Sequence, residues 1–446
     1  MKKQNTPYIQ FVPGQAIWSD AELQIRNRFI KYRKMFNSEA ALVQVTQKID
    51  TAPWFKHLPV QLLPLPQTIA ETGADLLIGE SPSIVTNRQS ATDAFIRRTF
   101  LNDFSLETAT MLSALGSLFI KVWYDGRVSR ISSIDPASVR TYFEYGNLVE
   151  CCIIEPVSND TLNNERTQYV VEHHVPGHIY HYCLITKKHE PNCIERKEDI
   201  TCIESDIPPV EDTGLSYIPI AHFRNLGIPG QWYGRSDYFG KEQLFAEIEN
   251  IVSMISYVLA ENSEPWVLVP NGVINPRTGH FNRADGKWIE KSAGIEQSVD
   301  IVSWNAGLTA AFEQLNKLME MLLFTSRLSP ALFSRDKHGS VDSGRALKWR
   351  SIPTFSMLNR KRRYFERGLK ELLRAGLELD GVSLPADWQV NIHWKDGLPQ
   401  DHESTAQFYA TLVSHGLCSK QTAVQHIFNV SEAAAAKEIE RIASEC

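Results

Sequence analysis

The chain has 446 residues, of which 43% are hydrophobic and 22% charged, so it is long enough for two to four substructures and too apolar for wholesale disorder. Its 46 basic and 52 acidic side chains give a net charge of −6, which excludes a protein that binds nucleic acid over its whole surface but leaves room for one basic region. Seven scattered cysteines argue against a disulfide framework, and no signal peptide or run of about 18 apolar residues is visible, so we expect a protein that is made and assembled in the cytoplasm, without a membrane partner.

The first half of the chain predicts helices followed by an antiparallel sheet. Helices are expected over residues 21–35, capped by Ser19 or Asp20, and over residues 67–79 and 91–115. The first helix has a basic face, which we interpret as a solvated face in preference to a nucleic-acid patch (Arg26, Arg28, Lys31, Arg33, Lys34). Apolar runs around Asp125-Gly126 then predict a hairpin, and further strands are expected at residues 147–156, 167–175, 178–186 and 199–204. This order of elements indicates an α+β fold.

Two long helices with a β segment between them follow. Asp237 is expected to cap a helix whose apolar stripe covers residues 244–259 and which ends before Pro265. Short strands and turns occupy residues 266–305, and a second helix is predicted over residues 308–328. The pattern is typical of a helical hairpin that carries a small β domain at its tip. The apolar stripes of the two helices are too long to cover each other within one subunit, so we expect neighbouring copies to cover the rest.

The last third begins with a polar loop, residues 334–344, and continues as a long helix to about residue 380 that Pro353 should kink. A strand at residues 390–394 and a helical segment at 401–445, broken at 415–416 and near 429, complete the chain. Residues 335–374 hold twelve basic and four acidic side chains, a net charge of +8, which leaves −14 for the remainder. A mostly acidic protein with one basic belt can contact phosphates without reading base sequence.

Residue patterns of common enzymes are missing from the sequence. It has no phosphate-binding G-x-x-x-x-G-K-[ST] loop, no H-E-x-x-H helix and no G-x-S-x-G turn. His174 and His178 have the spacing of a zinc ligand pair, but no tight cysteine pair completes a site, so a polar sheet face is favoured over zinc. A polar sheet face is also favoured over zinc for the other candidate metal ligands of that region (His173, His181, Cys183, His189, Cys193, Cys202). We therefore predict no enzymatic activity, no cofactor and no metal.

Several segments, in this order and spacing, resemble portal proteins of tailed bacteriophages, in the branch of long-tailed phages. The likeness runs from about residue 60 to 446, and it is carried by residues 69–82, 114–122, 343–347, 394–401 and 412–419 and by Tyr233-Gly234-Arg235-Ser236-Asp237. The resemblance implies a portal fold with an α+β wing, a two-helix stem, a small β-rich clip, a kinked tunnel helix and a helical crown. The implied parts are wing 1–236, stem helices 237–263 and 308–333, clip 264–307, tunnel loop 334–344, tunnel helix with a return strand 345–400 and crown 401–446.

The resemblance also implies a function without catalysis. Copies would form a ring, by analogy a homododecamer, at the portal vertex of the capsid in the virion, through which DNA is packaged and ejected. The implied partners are double-stranded DNA without sequence specificity, the large terminase subunit, adaptor or head-completion proteins, and the major capsid and scaffolding proteins. Channel contacts are expected at Lys337, His338, Arg345, Lys348 and Arg350, and partner docking is expected at residues of the clip (Arg277, His280, Arg283, Lys287, Trp288).

Two other classes of protein compete with this interpretation. A nuclease or another DNA-processing enzyme needs clustered carboxylates that hold a metal, and none stand out in the sequence. The other class is a different capsid or head–tail structural protein, of which a major capsid protein should lack the hairpin of two long helices around a β segment. The sequence therefore favours the portal class.

Overall fold

The structure is a computed structural model, and it describes residues 7–39, 61–157, 166–188, 198–204, 210–263, 266–269, 288–290, 300–302, 308–333, 349–394, 402–428 and 432–445. The chain divides into two compact units: residues 1–336 with 351–395 form the first, and residues 337–350 with 396–446 form the second. No helix in these ranges is long and apolar enough to cross a membrane.

Ten α-helices are described, and the first unit contains seven of them. In chain order they are α1 (Asp20–Phe36), α2 (Leu65–Ile78), α3 (Gln89–Thr99), α4 (Leu101–Leu115), α5 (Glu242–Ser263), α6 (Leu308–Ser326), α7 (Ile352–Leu379), α8 (His402–Ser414), α9 (Lys420–Phe428) and α10 (Glu432–Glu445).

Fourteen strands are described, all in the first unit. They are β1 (Ser83–Thr86), β2 (Ser117–Tyr124), β3 (Ser129–Ile134), β4 (Val139–Glu144), β5 (Asn147–Pro156), β6 (Arg166–Val175), β7 (His178–Lys188), β8 (Glu198–Glu204), β9 (Glu211–Asp212), β10 (Ile220–Arg224), β11 (Trp266–Val269), β12 (Trp288–Glu290), β13 (Asp300–Val302) and β14 (Val390–His393). The mixture of helices and mainly antiparallel sheets confirms the predicted α+β class.

The strands form four sheets. The largest is an antiparallel meander in the order β4-β5-β6-β7-β8, with the short β9 added to β7. The predicted hairpin is confirmed: β2 pairs with β3 from Phe119 opposite Ile134 to Tyr124 opposite Ser129, and β10 covers the other edge of β2. Strand β1 pairs with β14, which is the last described strand of the first unit in the sequence. Between α5 and α6, β11 pairs with β12 in parallel and with β13 in antiparallel orientation.

Helix α7 is the central element of the body. Its buried face includes Leu358, Phe365, Leu369 and Leu372, which join the core formed by α2, α3, α4, β2 and β10. A Cβ atom on Gly376 would lie 2.2 Å from the ring of Phe95, so only glycine allows α7 to approach α3 this closely. A glycine inside a helix costs roughly 1 kcal/mol relative to alanine. The packing of the aromatic ring offsets this cost.

A second core joins the body to the two long helices. Tyr238 lies just before α5, and Phe245 and Ile248 lie in its first two turns. These side chains pack with Leu322 near the end of α6 and with Met357 of α7. Helix α1 packs against this core and contributes buried side chains to it. The predicted cap at the start of α1 is confirmed by a capping box between Ser19 and Glu22.

The second unit is described as three short helices, α8 to α10. The predicted break at residues 415–416 is confirmed, since α8 ends at Ser414 and Gly416 has a φ of +69°. The break predicted near residue 429 lies outside the described residues.

Two local predictions were wrong. The helix expected over residues 91–115 is two helices, because Phe100 adopts a left-handed conformation with a φ of +50°. Asp237 does not cap a helix: α5 begins five residues later and Asp237 is engaged in the interior. Pro353 lies in the first turn of α7, where its missing N–H costs nothing, directly after a turn at Ser351 that follows the helical residues 349–350; the kink expected at Pro353 stays a prediction.

Candidate functional site

Two glycines bring the start of β2 and the segment before α5 into backbone contact. A Cβ atom on Gly234 would lie 2.2 Å from the carbonyl oxygen of Gly116, and a Cβ atom on Gly116 would lie 2.5 Å from the nitrogen of Ser236. Gly116 also has a φ of +91°, which L-residues with side chains rarely adopt. Any other residue at either position would separate the two segments.

Hydrogen bonds tie the same two segments together. The backbone nitrogen of Asn225 donates to the Gly116 carbonyl at 2.9 Å, and that of Asp237 donates to the Ser113 carbonyl at 2.9 Å. The side-chain nitrogen of Asn225 donates to the Arg235 carbonyl at 3.0 Å and to the Asp237 carboxylate at 2.9 Å. The hydroxyl of Ser236 donates to the Ala114 carbonyl. The segment that leads into α5 is therefore fixed to the body on both sides.

An ion pair between Asp237 and Lys361 lies at this junction. The Lys361 ammonium donates to Asp237 Oδ2, the Ser113 hydroxyl donates to the same atom, and the two charged side chains are 10% and 2% exposed. A Cβ atom on Gly73 would lie 3.6 Å from Lys361 Nζ, so α2 packs directly against the ion pair. The pair connects α7, α4 and the segment before α5, and we name this cluster of Ser113, Asn225, Asp237 and Lys361 the junction site.

Electrostatics keep the junction site ionised. Burial disfavours the charged form of Asp237, but the Lys361 ammonium and the hydrogen bonds outweigh it and lower the pKa of the carboxyl below its ordinary value. Nearby, burial lowers the pKa of Lys241, and the positive charges of Lys361 and Arg235 lower it further against the attraction of Asp237.

A second connection joins the end of α6 to the start of α7. Arg327 follows α6 with a φ of +57°, and the Thr354 hydroxyl donates to its carbonyl at 2.8 Å. The same hydroxyl accepts the N–H of Ser329 at 3.0 Å. A left-handed arginine costs of order 1–3 kcal/mol and persists only where its surroundings hold it. Both ends of the residue 327–352 connection are thus anchored within one unit, close to the ends of the two helices.

Most of the predicted channel and docking residues lie outside the described residues. This holds for Lys337, His338, Arg345 and Lys348 of the loop, and for Arg277, His280, Arg283 and Lys287 of the β segment. Arg350 is described, exposed, and directly precedes the turn at Ser351. Trp288 begins β12. Their proposed contacts with DNA and partner proteins remain predictions.

The described part of the basic belt is largely engaged within the subunit. Lys361 and Arg362 are buried, and the Arg362 guanidinium lies 5.6 Å from the centre of the Trp394 ring. Further along α7, three basic side chains form i,i+4 ion pairs (Arg367–Glu371, Lys370–Glu366, Arg374–Glu378). The predicted basic belt is therefore narrower in the described part of the chain, where Arg350, Arg360 and Arg363 are among its exposed members.

The basic face of α1 is not a solvated face throughout, and four of its charges bind within the subunit. Arg33 forms a bidentate ion pair with Asp135, and Lys31 lies 3.9 Å from the Glu242 carboxylate. Arg26 donates to the Ala137 carbonyl at 2.9 Å, and the Arg28 guanidinium lies 5.9 Å from the centre of the Phe239 ring. This face serves to dock α1 on the body.

The histidines of the large sheet are paired with carboxylates. His173 approaches Glu150 at 3.5 Å, His174 approaches Glu172 at 3.3 Å and His181 approaches Glu211 at 3.2 Å. His173 and His174 are buried, so the expectation of a polar sheet face is wrong for them, and burial lowers the pKa of His174. His189 and Cys193 lie outside the described residues. Among those described, no three His, Cys, Asp or Glu side chains are grouped as metal ligands.

Sequence reasoning missed the junction site, although a signal for it was present. Tyr233-Gly234-Arg235-Ser236-Asp237 stood out as a segment, but Asp237 was assigned to a helix cap. Lys361 belongs to four consecutive basic residues that suggest a surface. The apolar spacing of Leu358, Phe365 and Leu369 places positions 361 and 362 on the buried face of α7, and this period could have identified the lysine.

The comparisons with known proteins agree with this architecture. The family model for phage portal proteins of the SPP1 Gp6-like type matches residues 62–446. A solved structure, the neck of a native gene transfer agent particle computed with C12 symmetry, has a TM-score of 0.50 and 10% sequence identity, over 93% of this chain and 95% of that chain. A virion of a native gene transfer agent particle has a TM-score of 0.48 and 9% identity, over 93% and 96%. No curated protein matches the chain.

A subunit with an α+β body, two long helices around a small sheet, and a central helix that ties them together has the fold of a portal. The chain belongs to the SPP1 Gp6-like family of phage portal proteins. The predicted portal class is confirmed, and this family is structural.

Proposed function

We propose that copies of this chain form a closed ring at one vertex of a phage-like capsid, with a central channel through which DNA enters and leaves. Family membership supports the vertex and the channel, and the C12 symmetry of the gene transfer agent neck supports twelve subunits. The subunit then belongs to the virion.

The observation that carries the ring is the apolar surface that α5 and α6 leave exposed. The two helices pack against each other, and Ile248 and Leu322 are buried in their shared core. Large apolar side chains remain exposed on both (Met254, Tyr257 and Leu259 on α5; Phe312, Met321 and Phe324 on α6), and Phe324 is 83% exposed. Soluble proteins rarely leave such side chains together in water, so a neighbouring subunit is the natural cover.

This arrangement supports a division of the subunit into parts. We assign α5 and α6 to a stem, the segment with β11, β12 and β13 to a clip, and the body to a wing. Residues 334–344 are proposed as a tunnel loop that faces the channel, α7 as the tunnel helix, and α8 to α10 as a crown. The junction site supports this division, because it fixes the start of the stem and the tunnel helix to the wing in one cluster.

The channel is proposed to contact DNA through phosphates alone. Lys337, His338, Arg345, Lys348 and Arg350 are the proposed contacts, while the acidic charge of the rest of the chain lets the duplex slide. A few phosphate contacts per subunit position the duplex without reading its bases.

The clip is the proposed docking surface for partner proteins. The large terminase subunit binds there during packaging, and adaptor or head-completion proteins take the same surface later. Major capsid and scaffolding proteins contact the wing. The motor activity belongs to the terminase, and we propose no catalytic step for the portal itself.

Negative-stain imaging of the purified chain tests the proposal. Rings with a central hole are expected at micromolar concentration, and twelve-fold averages support the subunit number. Monomers, shells or tubes would contradict the ring. Metal-dependent cleavage of DNA by the same preparation would favour a nuclease, which is the alternative class.

A further inference from the structure

A cavity of about 180 Å³ lies beside the junction site, between the segment before α5, the end of α6 and α7. Four basic side chains line it, Arg235, Lys241, Arg327 and Arg360, together with Ser326 and Thr325. The share of liquid volume held by one water is about 30 Å³, so the cavity has room for a tetrahedral anion with a few waters.

Among the described residues that line this cavity, Asp237 is the only acidic one, so four cations face a single carboxylate. Arg235, Arg327 and Arg360 form no ion pair there, and the ammonium of Lys241 donates to the backbone carbonyl of Asp237. The carboxylate of Asp237 also borders the cavity, but Lys361, Ser113 and Asn225 engage it. Burial lowers the pKa of Lys241, Asp237 opposes this shift, and the positive charges of Lys361 and Arg235 add to it.

A buried hydroxyl with no partner is the independent sign of a ligand. Ser326 is 6% exposed and lines the cavity, and its Oγ atom has no hydrogen-bond partner among the described residues. Buried polar groups are nearly always satisfied by protein, water or ligand. Arg327, the next residue, is held in a left-handed conformation by Thr354, which keeps its side chain at the rim of the same cavity.

We propose that this cavity binds a phosphate group, supplied either by free phosphate or by the backbone of DNA. Guanidinium groups match phosphate oxygens with paired hydrogen bonds, and a serine hydroxyl adds a donor. Free phosphate carries up to two negative charges near neutral pH, which balance four cations better than the single charge of a carboxylate from a neighbouring copy. A phosphodiester of DNA carries one negative charge, and its oxygens can accept hydrogen bonds from several of these cations. The site is built from one subunit, so the inference does not depend on the proposed ring.

Calorimetric titration of the assembled protein with inorganic phosphate tests the site, with chloride at equal ionic strength as the blank. Saturable binding is expected, and the double substitution Arg327→Gln/Arg360→Gln should weaken it at least about tenfold, because it removes two charged donors of hydrogen bonds to the anion. Arg363→Gln is the matched control, because this exposed arginine of α7 does not line the cavity. Its affinity for phosphate should equal that of the wild type.

The source of the phosphate is resolved by competition with a short DNA duplex. Displacement of phosphate by the duplex assigns the site to the DNA backbone, and saturable phosphate binding without displacement assigns it to the free ion. Absent binding, or binding that the double variant retains, overturns the proposal. Loss of rings in the double variant, with no phosphate binding by the wild type, would instead indicate a carboxylate of a neighbouring copy and would equally overturn it.

A variant with a smaller change keeps the test decisive if the double variant does not fold. Ser326→Ala removes only the unpartnered hydroxyl and should leave the circular dichroism spectrum and the ring unchanged. We expect its phosphate affinity to fall several-fold. Unchanged affinity in this variant would show that the hydroxyl faces no ligand and would refute the site.

Discussion

At the scale of single residues, the ion pair of Asp237 and Lys361 carries the largest energetic consequence. Removing one partner of a buried pair leaves an uncompensated charge and typically costs about 3–5 kcal/mol, whereas removing both costs less. The Lys361 side chain is 2% exposed, so solvent screens it little. Removing either side chain alone should therefore cost more stability than removing both together.

A double-mutant cycle on this pair measures the coupling. We expect Asp237→Asn and Lys361→Met each to lower the free energy of unfolding strongly, and the double variant to lose clearly less than the sum. Denaturant unfolding followed by circular dichroism gives the values. Arg363→Met serves as the control for loss of a basic residue from an exposed position of α7. Additive losses would show that the two side chains do not stabilise each other.

His222 makes the stability of the body depend on pH. Its ring is buried and stacked on Phe119 at 4.7 Å, and burial, followed by the charges of Arg224 and Arg367, lowers its pKa to about 3. The unfolded chain protonates this histidine below about pH 6.5, so its stabilising contribution is complete above that value and is lost as the pH falls towards 3.

The loss amounts to about 1.4 kcal/mol at pH 5.5. His222→Gln should flatten the decline of the unfolding free energy between pH 7 and pH 5.5 by about this amount. His393→Gln, which changes an exposed histidine, should leave the decline unaltered. An equal decline in wild type and His222→Gln would mean that other groups cause the acid sensitivity.

At the scale of elements, the clip is expected to serve docking and not assembly. Deletion of residues 277–287, closed by a short glycine-serine linker, removes predicted turns of the β segment and leaves α5 and α6 intact. Rings should persist in negative-stain images, and binding of the terminase should be lost in a pull-down. Loss of rings in this variant would refute the assignment of the segment.

The tunnel loop gives the second test at this scale. Replacing Lys337, Arg345 and Lys348 by Gln removes positive charge that should hold phosphates in the channel. We expect intact rings but a lower yield of packaged DNA, with a weaker dependence on salt. The matched control replaces Arg367, Lys370 and Arg374 by Gln, since their charges are paired along α7. Unchanged packaging across a range of salt would identify the loop residues as ordinary surface charges.

Elements with a strong local signal could be predicted from the sequence, and elements set by tertiary contacts could not. Asp125-Gly126 between apolar runs located the β2–β3 hairpin, and the capping pair Ser19 and Glu22 located α1. The break between α3 and α4 was missed because Phe100, an ordinary aromatic residue, adopts a left-handed conformation. Strand β4 was missed for a similar reason, since its pairing with β5 decides its state more than its own composition does.

The residues of the junction site also differ in how far the sequence predicts them. Sequence spacing located the segment that ends in Asp237, but its partner Lys361 lies 124 positions further along the chain. Only packing brings the two together, and a run of four basic residues conceals which of them faces inwards.

At the scale of the whole molecule, ring assembly should depend on the exposed face of the stem. Phe324→Glu places a charge where a neighbouring subunit should bury an aromatic ring worth about 1.5–3 kcal/mol, and the loss recurs at every interface of the ring. Mass photometry should show monomers in place of rings, with an unchanged circular dichroism spectrum. Tyr145→Asp, at a 93% exposed position of the turn between β4 and β5, should leave the rings intact. Rings in the Phe324→Glu variant would exclude this face as the interface.

The place of α7 in the chain has a consequence for biosynthesis. Phe365, Leu372 and Leu373 fill a core whose other walls come from residues 74–223 and from Val390, so the ribosome must add more than a hundred residues after position 223 before the helix that closes that core emerges. During this interval the nascent body exposes its apolar interior. A subunit should therefore become competent for assembly only after α7 has been synthesised.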